Sequence, residues 1–115
     1  MELGVVVGHF RAAARRMLYG FATHVDEAPD GAVALELMAA APPDVILVDL
    51  LMPRLDGSVL LQRMAEDERL RDIPVVVVTI SPQQAPDTKK VLSKHGLRRE
   101  QLLHAIRGAK GTKDA

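Results

Sequence analysis

Along the chain, unbroken apolar runs alternate with segments in which apolar residues recur at helical spacing. The most informative run lies in DVILVDLLMPRLDG, residues 44 to 57. Val45, Ile46, Leu47 and Val48 follow one another without a polar break, close on Asp49, and are cut off by the turn residues Pro53 and Gly57. A strand with one wet face would alternate, so an unbroken run predicts a central parallel strand covered on both faces. Ile73 to Thr79 repeats the form, with consecutive valines from Val75 to Val78 ending in a hydroxyl. Leu3, Val5, Val6 and Val7, closed by Gly8, form a shorter β-branched run that reads as an inner strand. His24 to Ala28 reads as a further short strand.

Between these runs the period changes. Phe10, Ala14, Met17 and Phe21 recur on one helical face while Arg11 and Arg15 share another, and Gly20 lies near the helix end. Asp30 is placed to cap a helix that opens at Gly31, runs through Ala34, Leu35 and Met38, and is stopped by Pro42 and Pro43. A third helix after Gly57 turns Leu60, Leu61 and Met64 inward and the charged run EDER, 66 to 69, outward. Leu102, Ile106 and Ala109 share a face of a terminal helix, and GTKDA, 111 to 115, reads as a flexible tail. Strands alternating with helices predict an α/β fold with a doubly wound parallel sheet. Residues 88 to 95 admit two assignments. VLSK, 91 to 94, is a short strand, or the segment is a helix capped by Asp87 and ended by Gly96.

Composition narrows the function. With 115 residues and 48% hydrophobic content, the chain suits one core, placed at residues 1 to 110. The 15 basic and 15 acidic residues balance, which offers no electrostatic attraction to nucleic acid or to an anionic membrane. The Arg11 and Arg15 face is most simply solvated. No cysteine is present, no apolar run is long enough to span a bilayer, and the N-terminus lacks the pattern of an export signal, so the expected location is the cytoplasm.

Chemistry in open parallel sheets gathers beyond the carboxyl ends of the strands, which makes Asp49 the leading functional candidate. The decapeptide VDLLMPRLDG around it resembles the phosphoacceptor signature of bacterial response-regulator receiver domains. EAPDGAVALELM (27 to 38), PPDVILVDL (42 to 50), RDIPVVVVT (71 to 79) and VLSK (91 to 94) follow in the order and approximate spacing of such domains. The resemblance covers Val25 to Ile106 and is poor before that.

The resemblance implies a flavodoxin-like five-stranded sheet of order 2-1-3-4-5 and a receiver module of two-component signalling. Asp49 would accept a phosphoryl group from a histidine kinase or phosphotransfer protein. Thr79 would follow that group by hydrogen bonding, and Lys94 would pair with it. The domain would catalyse its own modification without being a turnover enzyme, and would switch binding to a downstream protein or to a second copy of itself. Receivers continue past the lysine with a proline, where this chain has His95.

Two departures stand out. Receivers hold magnesium with an acid pair after the first strand, the phosphoacceptor, and a backbone carbonyl that here would be that of Leu51. The corresponding positions are approximately Gly8 and His9, neither a hard anionic ligand, so the expected magnesium site is weak or absent, whether through simple substitution or a distorted first strand and helix. His9 and His95 are a weak signal for a softer metal. The second departure lies between Thr79 and Lys90, where Pro82 and Pro86 leave room for a short fourth helix or none. A pseudo-receiver, binding protein partners without phosphate, is the alternative that the missing acids favour. A haloacid-dehalogenase-type phosphatase would need a second acid at Leu51, and a dinucleotide site would need a glycine-rich turn that Gly4 and Gly8 do not supply.

Overall fold

The central apolar run forms strand β3 (Val45–Val48), and the rest of the fold is assembled around it. A computed structural model describes residues 3–8, 10–49, 57–79, 90–93 and 96–114, with backbone alone at 58, 90 and 110–114. In chain order the other elements are β1 (Leu3–Val7), α1 (Arg11–Leu18), β2 (His24–Ala28), α2 (Gly31–Ala40), α3 (Gly57–Ala65), β4 (Val75–Thr79), β5 (Lys90–Ser93) and α4 (Arg99–Asp114), with β3 between α2 and α3. The five strands form one sheet of order β2-β1-β3-β4-β5, and every adjacent pair is parallel. This is the doubly wound parallel sheet expected from the alternating pattern, in the flavodoxin-like order that the resemblance implies.

The unbroken runs have a direct structural cause. Successive side chains of a strand point to opposite faces, so a strand buried on both sides needs apolar residues at every position. Val5, Val7, Ile46, Val48, Val75 and Val77 join a core with Ala34 and Met38 of α2 and Leu60, Leu61 and Met64 of α3. Val6, Val45, Leu47, Val76 and Val78 join the opposite core with Ala14 and Leu18 of α1 and Leu102, Leu103, Ala105 and Ile106 of α4. Burying each such aliphatic side chain is worth about 1.5–3 kcal/mol before entropy is counted.

Local signals fix the helix ends. The Asp30 carboxylate accepts a hydrogen bond from the Val33 amide at 3.1 Å, capping α2 as its sequence position predicts. Gly20, with φ of 82°, follows α1 in the left-handed region that glycine adopts at little cost. There the Arg99 guanidinium donates to the carbonyls of Met17 at 2.9 Å and Tyr19 at 3.0 Å, tying the end of α1 to the start of α4. The Arg11 and Arg15 face turns to the sheet edge: Arg15 Nε lies 2.6 Å and Arg11 Nε 3.6 Å from the Glu27 carboxylate, and Arg15 also donates to the Val25 carbonyl at 2.8 Å. Hydrogen bonds from the Arg69 side chain and backbone amide hold the half-buried Asp67 carboxyl below the usual carboxylate range.

Of the two assignments for 88 to 95, the strand is the one adopted. β5 pairs with β4 from Val76↔Lys90 to Thr79↔Ser93. The α4 backbone continues to Asp114, through four of the five GTKDA residues read from composition as a tail. The expectation of a short fourth helix falls on residues 80–89, outside the described residues.

Candidate functional site

Parallel pairing brings the carboxyl ends of all the strands to one edge, and Asp49 stands there one residue beyond β3. Its backbone is held in the sheet: the Asp49 amide donates to the Val7 carbonyl at 3.1 Å. On the other side of β1, the Gly8 amide donates to the Ala28 carbonyl at 3.0 Å. Hydrogen bonding thus continues one step past each strand, and the acid is fixed by backbone on the rigid edge of the fold. Such fixation is what a reacting group needs to be held in one place.

Asp49 is 2% exposed and Thr79 is fully buried. They are two of the three buried polar or charged side chains among the described residues, the third being the helix cap Asp30. The pairing Val48↔Val77 places Asp49 and Thr79 beyond the same register point of neighbouring strands, with Thr79 one step further along. Neighbouring strands lie about 4.8 Å apart, so both residues belong to one small region of the edge. Among the described residues no buried side-chain oxygen or nitrogen lacks a hydrogen-bond partner. The cost of desolvating this polar pair is therefore offset by bonding.

Lys94 directly follows β5, whose Ser93 is registered with Thr79. Lys94 itself, Leu51, His9 and His95 lie outside the described residues.

Gly8 is the residue whose part the sequence signals only indirectly. It is buried at the end of β1 with φ of 114°, where side-chain-bearing residues are strained. A Cβ built on Gly8 would lie 2.5 Å from the Asp49 Cβ and 3.4 Å from both Cγ and Oδ2. The first position of the expected acid pair is thus occupied by the phosphoacceptor candidate's own side chain. This bears on magnesium, which needs several oxygen ligands and usually carboxylates among them. Asp49 brings one carboxylate, Gly8 brings none and has no space for one, and the described residues hold no group of three or more His, Cys, Asp or Glu able to bind a metal. Gly8 and Asp49 together thus supply one carboxylate, where magnesium takes several oxygen ligands.

Comparison with known proteins agrees with the fold. The profile of the response regulator receiver domain matches residues 8–99. The sensor histidine kinase TmoS of Ectopseudomonas mendocina is 44% identical over 57 residues, which are 50% of this chain and 6% of that protein. The probable transcriptional regulatory protein NarL of Mycobacterium tuberculosis is 41% identical over 91 residues, 74% of this chain and 40% of that protein. The chain thus spans well under two thirds of both relatives. Among solved structures, the receiver domain of the sensor histidine kinase PA1611 from Pseudomonas aeruginosa, which has magnesium coordinated in its active site cleft, superposes with a TM-score of 0.81 at 22% identity. That superposition covers 96% of this chain and 97% of the other. With a family profile covering most of its length and a sheet of the matching order, this chain belongs to the response regulator receiver domain family of two-component signalling.

Proposed function

We propose that the chain is a phosphoacceptor switch in which Asp49 takes a phosphoryl group from a histidine kinase or a phosphotransfer protein and thereby changes binding to a downstream protein. The observation that supports this most directly is the buried Asp49 beside the buried Thr79 at the carboxyl edge of a receiver sheet. In the transfer, a carboxylate oxygen of Asp49 attacks phosphorus, the phosphorus–nitrogen bond of the donor phosphohistidine breaks, and the imidazole leaves as the neutral base after taking up a proton. The product is an acyl phosphate on Asp49. It carries more negative charge and more acceptor oxygens than the carboxylate, and Thr79 and Lys94 are the side chains proposed to meet them. Their response to that charge would bias the adjoining loops and the surface offered to a partner or a second copy.

Without an acid at position 8, less positive charge is held against the transferring group, so the transfer is slow. The site performs this step on itself and turns over no separate substrate. The balanced charge, and the engagement of Arg11 and Arg15 with Glu27, favour protein partners over nucleic acid. No helix among the described residues is long and apolar enough to cross a membrane, and the chain is proposed to act in the cytoplasm. A second proposal, favoured by Gly8, is a pseudo-receiver of the same fold that binds partners without phosphate.

The test exposes wild type and Asp49→Asn to a small-molecule phosphodonor or a candidate kinase, then reads intact mass and partner binding. The phosphoacceptor proposal expects a gain of one phosphoryl group in wild type only, with a change in binding. No mass gain, with equal binding by both proteins, would support the pseudo-receiver.

A further inference from the structure

We infer that Gly8 is a positioning residue for Asp49: the space left by its missing side chain seats the Asp49 Cβ, so this edge accepts an acid at position 8 only by displacing the acceptor. Three observations carry this. A Cβ on Gly8 would approach the Asp49 Cβ to 2.5 Å, closer than such atoms pack. The contact is between stems next to the backbone, so no side-chain rotation relieves it. The backbones on both sides are fixed, Asp49 by its bond to the Val7 carbonyl and Gly8 by its bond to the Ala28 carbonyl. Neither residue can retreat without giving up sheet hydrogen bonds. Third, φ of 114° at Gly8 is a conformation that an aspartate adopts only under strain.

The missing acid is therefore more than an exchange of one side chain. The Asp49 Cβ packs against the Gly8 backbone, in the space that a side chain at position 8 would need. Restoring the acid by substitution does not restore the magnesium site. This inference rests on Asp49 being the working carboxylate of the site, but it concerns packing and metal binding, both measurable without any phosphoryl transfer.

The experiment is a double-mutant cycle with a metal arm. Thermal unfolding is measured for wild type, Gly8→Ala, Asp49→Gly and Gly8→Ala/Asp49→Gly. Removing the Asp49 Cβ abolishes the clash but leaves the φ strain at position 8, so the Tm loss caused by Gly8→Ala should fall by at least about half in the Asp49→Gly background. If Gly8→Ala alone does not fold, folding of the double variant supports the inference. An equal Tm loss in both backgrounds, or failure of the double variant to fold where Asp49→Gly does, would overturn it. In the metal arm, Gly8→Asp/His9→Asp is titrated with magnesium alone and Tm is followed, because an ion that binds only the folded state raises it. No rise, or a chain unfolded at every magnesium concentration, is the expected result. This arm decides the matter if Asp49→Gly itself does not fold. A magnesium-dependent rise, or magnesium-induced folding, that disappears on adding Asp49→Asn would show that the edge accommodates the acid.

Discussion

Thr79 has no accessible surface, and its side-chain oxygen belongs to a set of described buried polar atoms that all have partners. Replacing it with valine keeps the shape and removes the hydroxyl together with its bond. Thr79→Val is expected to lower stability to urea by about 1–2 kcal/mol, whereas Thr79→Ser should cost less because it keeps the hydroxyl. Equal stability of Thr79→Val and wild type would mean that the hydroxyl contributes nothing net to folding. At this scale the sequence was informative about which residues matter and less so about their contacts. Asp49 and Thr79 announce themselves because each ends a run that is otherwise wholly apolar. Gly8 announced only the absence of a carboxylate. That its missing Cβ is filled by Asp49 depends on a backbone angle and on the approach of two strands far apart in the sequence, neither of which has a local signature.

At the scale of elements, the legible parts were those whose burial sets a strong period. β1, β3 and β4 were readable because double-sided burial forbids polar interruptions, and α2 because Asp30 supplies a cap of the expected type. β5 was ambiguous, since four residues with one apolar pair favour a strand without excluding a helical turn, and pairing with β4 decides the matter. The bond between α1 and α4 was invisible, because Arg99 looks like any surface arginine of a first helical turn. Its two donors satisfy the carbonyls of Met17 and Tyr19 where α1 ends, groups that a helix terminus otherwise leaves to water. Arg99→Ala is expected to cost about 1 kcal/mol in urea unfolding, and Arg99→Lys to recover little, because an ammonium cannot present a planar fork to two carbonyls. An unchanged midpoint in Arg99→Ala would show that water replaces the guanidinium without loss.

Across the whole molecule, sheet order and burial together fix where stability resides. β1, β3 and β4 each have a strand on both sides, and the described side chains of β3 and β4 are all buried, whereas β2 is an edge strand with His24 and Glu27 exposed. Opening β3 exposes both cores at once, since Ile46 and Val48 belong to one and Val45 and Leu47 to the other. Opening the outer side of β2 need expose little beyond Val25 and Ala28. Native-state hydrogen exchange should therefore place the slowest amides in β1, β3 and β4, with protection approaching the global unfolding free energy, and faster exchange in β2 and β5. The amide of Asp49, bonded to the Val7 carbonyl between the two innermost strands, belongs with the slow set. A phosphoacceptor at Asp49, as proposed, would thus sit on the part of the fold expected to open last. Exchange at Asp49 as fast as that of β2 amides would show instead that the acceptor opens independently of the sheet, and the positioning assigned to Gly8 would lose its rigid frame.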